Sequence, residues 1–113
     1  MEVIYHITSR RNWRWALEAG EYRSDSLGTE GFIHCSKRSQ VLRVADAFYQ
    51  GQADLILLII DPGRLAAELC WEPGSDKPDE QFPHIYGPLN LKAVVQTLDF
   101  PQDPGGGFHL PVV

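Results

Sequence analysis

The chain has 113 residues, 43% of them hydrophobic and 22% charged, enough for one domain whose core needs no disulfide staples. Its formal net charge of −5 argues against general nucleic-acid or anionic-membrane binding, and its longest apolar run, Leu55 to Ile60, is too short to span a bilayer. Two cysteines, Cys35 and Cys70, and a Met-Glu-Val start without a basic or apolar leader pattern predict buried, reduced thiols in a cytoplasmic protein.

Residues 3–8 alternate, with Val3, Tyr5 and Ile7 on one face and Ile4, His6 and Thr8 on the other, which predicts a strand. Ser9 offers a helix N-cap, Trp13, Ala16, Leu17 and Gly20 recur at helical spacing, and Gly20 is a stop. Glu21 to Glu30 reads as a polar loop, long enough to bind something. Phe32 to Cys35 is a short strand. Ser36 or Ser39 caps a second helix, with Val41, Val44, Ala45 and Phe48 on one stripe and Gly51 at its end. Asp54 to Asp61 lacks alternation, so it is a central strand covered on both faces. Arg64 to Ala67 suggests a helical turn. Glu68 to Glu72, His84 to Tyr86 and Ala93 to Phe100 complete the strands, and Pro73 to Gln81 is a charged loop. Residues 1–100 form a single domain. Residues 101–113, rich in Gly and Pro, form an irregular, flexible tail. Two helices in the N-terminal half followed by a run of strands define an α+β class.

Three of the four histidines, His6, His34 and His84, fall in strand contexts, each with a hydroxyl two residues on: Thr8, Ser36 and Tyr86. A half-buried imidazole needs hydrogen-bond partners, so three such strands predict one shared polar pocket. A zinc site would have enough ligands if Cys35 and Glu72 joined the histidines, but no Cys-x-x-Cys or His-x-x-x-His pair supplies the usual spacing, so no metal is expected. Cys35 adjoins His34 but points to the opposite strand face, which excludes a direct thiolate–imidazolium pair. Ser36 lacks a nucleophile elbow, and no Gly-x-Gly-x-x-Gly or P-loop pattern is present. A ligand pocket remains: histidines and hydroxyls to hold a ribose or phosphate, with Tyr22 and Phe32 available to stack on a planar ring. Glu72 is the best-placed acid should the pocket need one.

Taken in order, Ile4-Tyr5-His6-Ile7, Trp13 with Ala16 and Gly20, Gly31-Phe32-Ile33-His34-Cys35-Ser36, Leu55 to Asp61, Trp71-Glu72 and Phe82-Pro83-His84-Ile85-Tyr86-Gly87-Pro88-Leu89 resemble the DUF952 family of small uncharacterised proteins. That resemblance implies an ADP-ribosyltransferase-like fold, a mixed, split β-sheet that clamps NAD in a cleft. It matches His6-Ile7-Thr8 to the fold's first functional strand and Phe32 to Ser36 to its second. The chain departs at the third position, where His84-Ile85-Tyr86 stands in place of a catalytic Glu. The expectation is therefore a binder of NAD, ADP-ribose or a related nucleotide, possessing or lacking transferase activity. His34 and His84 would be the catalytic groups, and His6, Thr8, Tyr22, Phe32, Ser36 and Tyr86 would hold the ligand. The alternative from a different class is a protein-interaction module whose histidines are structural.

Overall fold

A computed structural model describes residues 2–75 and 77–111. The chain opens with strand β1 (Ile4–Ser9), and every one of its side chains up to Thr8 is buried, because both faces are covered. Helix α1 (Arg10–Ala19) follows at once. The Ser9 hydroxyl accepts from the Asn12 N–H at 3.1 Å, satisfying one of the orphan donors at the helix start. Gly20 ends it in the left-handed region at φ 88°, its N–H returning to the Ala16 carbonyl. A side chain there is strained, so Gly20→Ala should cost about 1 kcal/mol. Denaturant midpoints of the two proteins check this; equal stability would mean that the helix ends without the left-handed turn. Only Ala16 of α1 is fully buried, with Trp13 half-buried beside it. Leu17, expected in the same stripe, is 54% exposed, because the helix turns only a narrow face to the core.

The segment expected to be loop holds strand β2 (Glu21–Tyr22) and a short helix, α2 (Asp25–Thr29). Gly28 inside that helix masks its signal; Ser24 before it and Asp25 in its first turn are the cues. The described residues thus hold three α-helices, all in the first half, not two. After β3 (Ile33–His34) comes α3 (Arg38–Phe48). Neither expected serine caps it. Lys37 occupies the cap position, and Gln40 reaches back so that its side-chain oxygen accepts the Lys37 N–H at 2.9 Å. The helix stops at Phe48, three residues short of Gly51. Strand β4 (Leu55–Ile60) is buried at every residue, as its unbroken apolar run requires. A 3-10 turn spans Pro62–Arg64. Then come β5 (Glu68–Pro73), β6 (Gln81–Tyr86), β7 (Leu89–Asn90) and β8 (Val94–Asp99).

The strands form three sheets, β1-β4-β8, β2-β7 and β3-β6-β5. All the pairings are antiparallel. The expected mixed sheet is therefore corrected: strand direction depends on how the connections run in space, and composition does not record it. The larger sheets meet at one stitch, where Tyr5 and Ser36 exchange two backbone hydrogen bonds of 2.8 Å.

Two apolar clusters cover the two faces of β1 and β4. Ile4, Ile56, Leu58 and Ile60 pack with Ile33, Ile85, Tyr22 and Leu89 in the first. Tyr5, Ile7, Leu55, Leu57 and Ile59 pack with Val41, Ala45 and Phe100 in the second. The described residues of the tail hold no helix or strand, as its glycines and prolines suggest, and Phe108 and Leu110 lie against the second cluster. Among the described residues no helix is long and apolar enough to cross a membrane.

Candidate functional site

Sheet register decides which histidines meet. Ile33 lies opposite Ile85 and His34 opposite His84, so the isoleucines turn to the first core and the imidazoles turn away from it together. Cys70 of β5 is the next residue across from His84. The His34 and His84 ring centroids are 5.3 Å apart in an edge-on arrangement. Phe32 touches both: it stacks on His84 at 4.1 Å and 18°, and meets His34 at 4.7 Å. Tyr86 lies 5.3 Å from Phe32.

Each imidazole is oriented by a carboxylate. Glu30, at the end of α2, accepts from His34 Nε2 at 2.9 Å. Glu72 on β5 accepts from His84 Nδ1 at 2.8 Å and, through the same oxygen, from the Tyr86 hydroxyl at 2.6 Å. Those two bonds, Tyr86's first, hold the Glu72 carboxyl below its usual range, while the bond to Glu72 pushes the Tyr86 phenol up to about 12. The two histidines differ in exposure: the His34 side chain is 47% exposed and that of His84 6%.

Both rings line a cavity of about 370 Å³ beside the Tyr5–Ser36 stitch. Tyr5 and Ile7 of β1, Val44, Phe48 and Tyr49 of α3 and its end, and Phe82 of β6 give it apolar and aromatic walls. Glu30, Ser36, Cys35, Gly74 and Ser75 complete it. It therefore lies where the two large sheets meet, on the Tyr5 and Ile7 face of β1 and away from the first core. Burial pushes the Cys35 thiol up, so this cysteine is not a ready nucleophile. Cys35 and Cys70 are both free; Cys35 is buried as expected, whereas Cys70, on an edge strand, is only half-buried.

His6 does not share this cavity, and the expectation of one pocket for three histidines is corrected. It sits on the opposite face of β1, buried, with both ring nitrogens engaged: Nδ1 lies 2.5 Å from the His34 carbonyl and Nε2 2.8 Å from the Tyr22 hydroxyl. A carbonyl only accepts, so Nδ1 carries the proton. Tyr22 is also 2.9 Å from the Thr8 hydroxyl. Burial lowers His6 to about 4, which keeps it neutral. His6, Thr8 and Tyr22 thus spend their polar atoms on one another and brace β3 from behind. Of the residues expected to hold a ligand, Ser36 lines the cavity, and Phe32 and Tyr86 buttress the paired imidazoles.

Tyr5, Phe48, Tyr49 and Phe82 line the cavity without any sequence pattern that marks them for it, Glu30 lines it too, and Glu72 stands beside it. Glu30 stands four residues before His34, a spacing that could have drawn notice. Glu72 is brought to His84 only by the β5–β6 register, across a loop whose length hides the pairing. Among the described residues no group of three or more His, Cys, Asp or Glu side chains could hold a metal ion.

The profile of the family described as "Protein of unknown function (DUF952)" matches residues 7–97, most of the chain. The chain belongs to this family. Among solved structures it is similar to protein CC0527 from Caulobacter crescentus. The crystal structure of that protein superposes with a TM-score of 0.84 at 33% identity, over 95% of this chain and 93% of that one. Its solution structure gives 0.80 at 34% identity, over 95% and 91%. No curated protein matches.

Proposed function

We propose that this protein binds a nucleotide of the NAD or ADP-ribose class in the cavity beside the Tyr5–Ser36 stitch. The observation that carries the reading is an aromatic-walled space of about 370 Å³ with two carboxylate-oriented imidazoles in its lining, beside the bridge between two sheets. That size suits a nucleoside-sized portion of a ligand, and sites of this kind are mostly apolar with a few fixed polar groups. The ADP-ribosyltransferase-like architecture that the family resemblance implies would place its ligand in a cleft of the sheet, and a nucleotide beside the junction of the two large sheets would lie in the corresponding kind of place. Tyr5, Phe48 and Tyr49 offer faces for a planar ring, and Ser36 and the imidazoles offer hydrogen bonds to a ribose. In the catalytic form of this reading, His34 and His84 act at the bond between ribose and nicotinamide. Two free thiols suit the reducing cytoplasm in which we place this activity.

The rival reading, an interaction module with structural histidines, describes His6 well. It does not describe His34, which is half exposed and braces no core. Calorimetry with NAD, ADP-ribose and zinc ions separates the readings. The expected result is heat from NAD or ADP-ribose with affinity around the micromolar range, about 8 kcal/mol. His34→Ala should weaken it by about 1 kcal/mol, roughly fivefold, without unfolding the domain. Zinc uptake without nucleotide binding, or no binding at all, would sink the reading.

A further inference from the structure

Glu72, the acid best placed for the pocket, is the group that fixes the state of His84. An ionised carboxylate can only accept, and its Oε1 stands 2.8 Å from His84 Nδ1, so that nitrogen carries the proton. The same oxygen accepts from Tyr86, a second bond that anchors the carboxylate. Phe32 covers one face of the imidazole. With Nδ1 engaged by Glu72, Nε2 is the ring nitrogen without a hydrogen-bond partner among the described residues, and the space His84 lines is the cavity. The other titratable groups near the ring are His34 with Glu30, and Cys70 across the strand pair.

We propose that Glu72 is a positioning residue that locks His84 in its Nδ1–H tautomer, so that Nε2 presents its lone pair to the cavity as an acceptor for a hydroxyl, from water or an alcohol. Its partner His34 shows the opposite nitrogen, because Glu30 takes Nε2. The assignment rests on the nucleotide reading only for the step it serves. In that step the hydroxyl gives its proton to Nε2 while its oxygen bonds to ribose C1′. The C1′–N bond to nicotinamide breaks, its electron pair passing to the pyridinium nitrogen, and His84 later returns the proton to water.

Two-bond proton–nitrogen correlation spectra of the full chain, without ligand at about pH 8 where an ordinary imidazole is neutral, read the tautomer directly. The expected pattern at His84 is Nδ1–H in the wild type and in Glu72→Gln, which keeps the acceptor oxygen, with a shift toward Nε2–H in Glu72→Ala. An Nε2–H pattern in the wild type, or no change in Glu72→Ala, overturns the assignment. Diethyl pyrocarbonate, which acylates an accessible neutral imidazole nitrogen, should label His84, as read by peptide mass spectrometry. An unlabelled His84 in the folded protein overturns the accessible Nε2. Neither readout needs a nucleotide, so failure of NAD to bind and failure of this assignment are told apart.

Discussion

Acidification from about pH 7 to about pH 4 should remove on the order of 3 kcal/mol of stability through His6 alone. Its pKa falls from 6.5 in the open chain to about 4 in the fold, chiefly because burial penalises the imidazolium. The folded pKa is the lower one, so the unfolded chain takes up a proton first. Stability from this group is complete above 6.5 and drains as pH falls toward 4, at about 1.4 kcal/mol per pH step. The neutral ring suits its partners, since Nδ1 donates to the His34 carbonyl and Nε2 meets the Tyr22 hydroxyl. Denaturant unfolding at a series of pH values gives the slope, and the His6 ring resonances give its midpoint. A ring that titrates near its ordinary value in the folded protein would remove the effect.

Ending the chain at Pro101 should cost about 3 kcal/mol, although the described residues lost form no helix or strand. Phe100 is fully buried, and Phe108 stacks on it at 5.2 Å and 23°. Leu110 packs against the same cluster, and Gln102 accepts the Gly51 N–H at 3.0 Å. Truncation strips these groups away and opens Phe100 to water. Phe108→Ala should show about half of the loss, and urea midpoints of the three proteins measure both. A truncated chain as stable as the whole would mean that the tail contributes nothing to the second core.

How far the sequence could be read depended on how local each signal was. Ser9 and Gly20 bracketed α1, and the apolar run from Leu55 to Ile60 marked the central strand, because caps and unbroken hydrophobicity act over a few residues. The alternation in β1 placed His6 with Ile4 and Thr8, but it could not say which face looked onto the site. Both faces of that strand are buried, so hydrophobicity is no guide, and the cavity lies on the Tyr5 and Ile7 side. His34 and His84 meet because they stand opposite each other in the β3–β6 register, with Ile33 and Ile85 turned to the first core. Glu72 reached His84 through strand register, which is set across a long loop and leaves no trace in neighbouring residues. Gly28 concealed α2, and the direction of the strands left no mark in composition at all.

Position 34 carries two unrelated devices. Its imidazole looks outward to the cavity, while its carbonyl oxygen looks inward and receives His6. Every amino acid has that carbonyl, so exchanging the side chain leaves the internal anchor in place as long as β3 keeps its pairing with β6. At position 6 the anchor is the side chain itself, and no exchange spares it. Residue 34 is thus replaceable at the cavity without loss of the anchor behind it, whereas residue 6 is tied to the architecture.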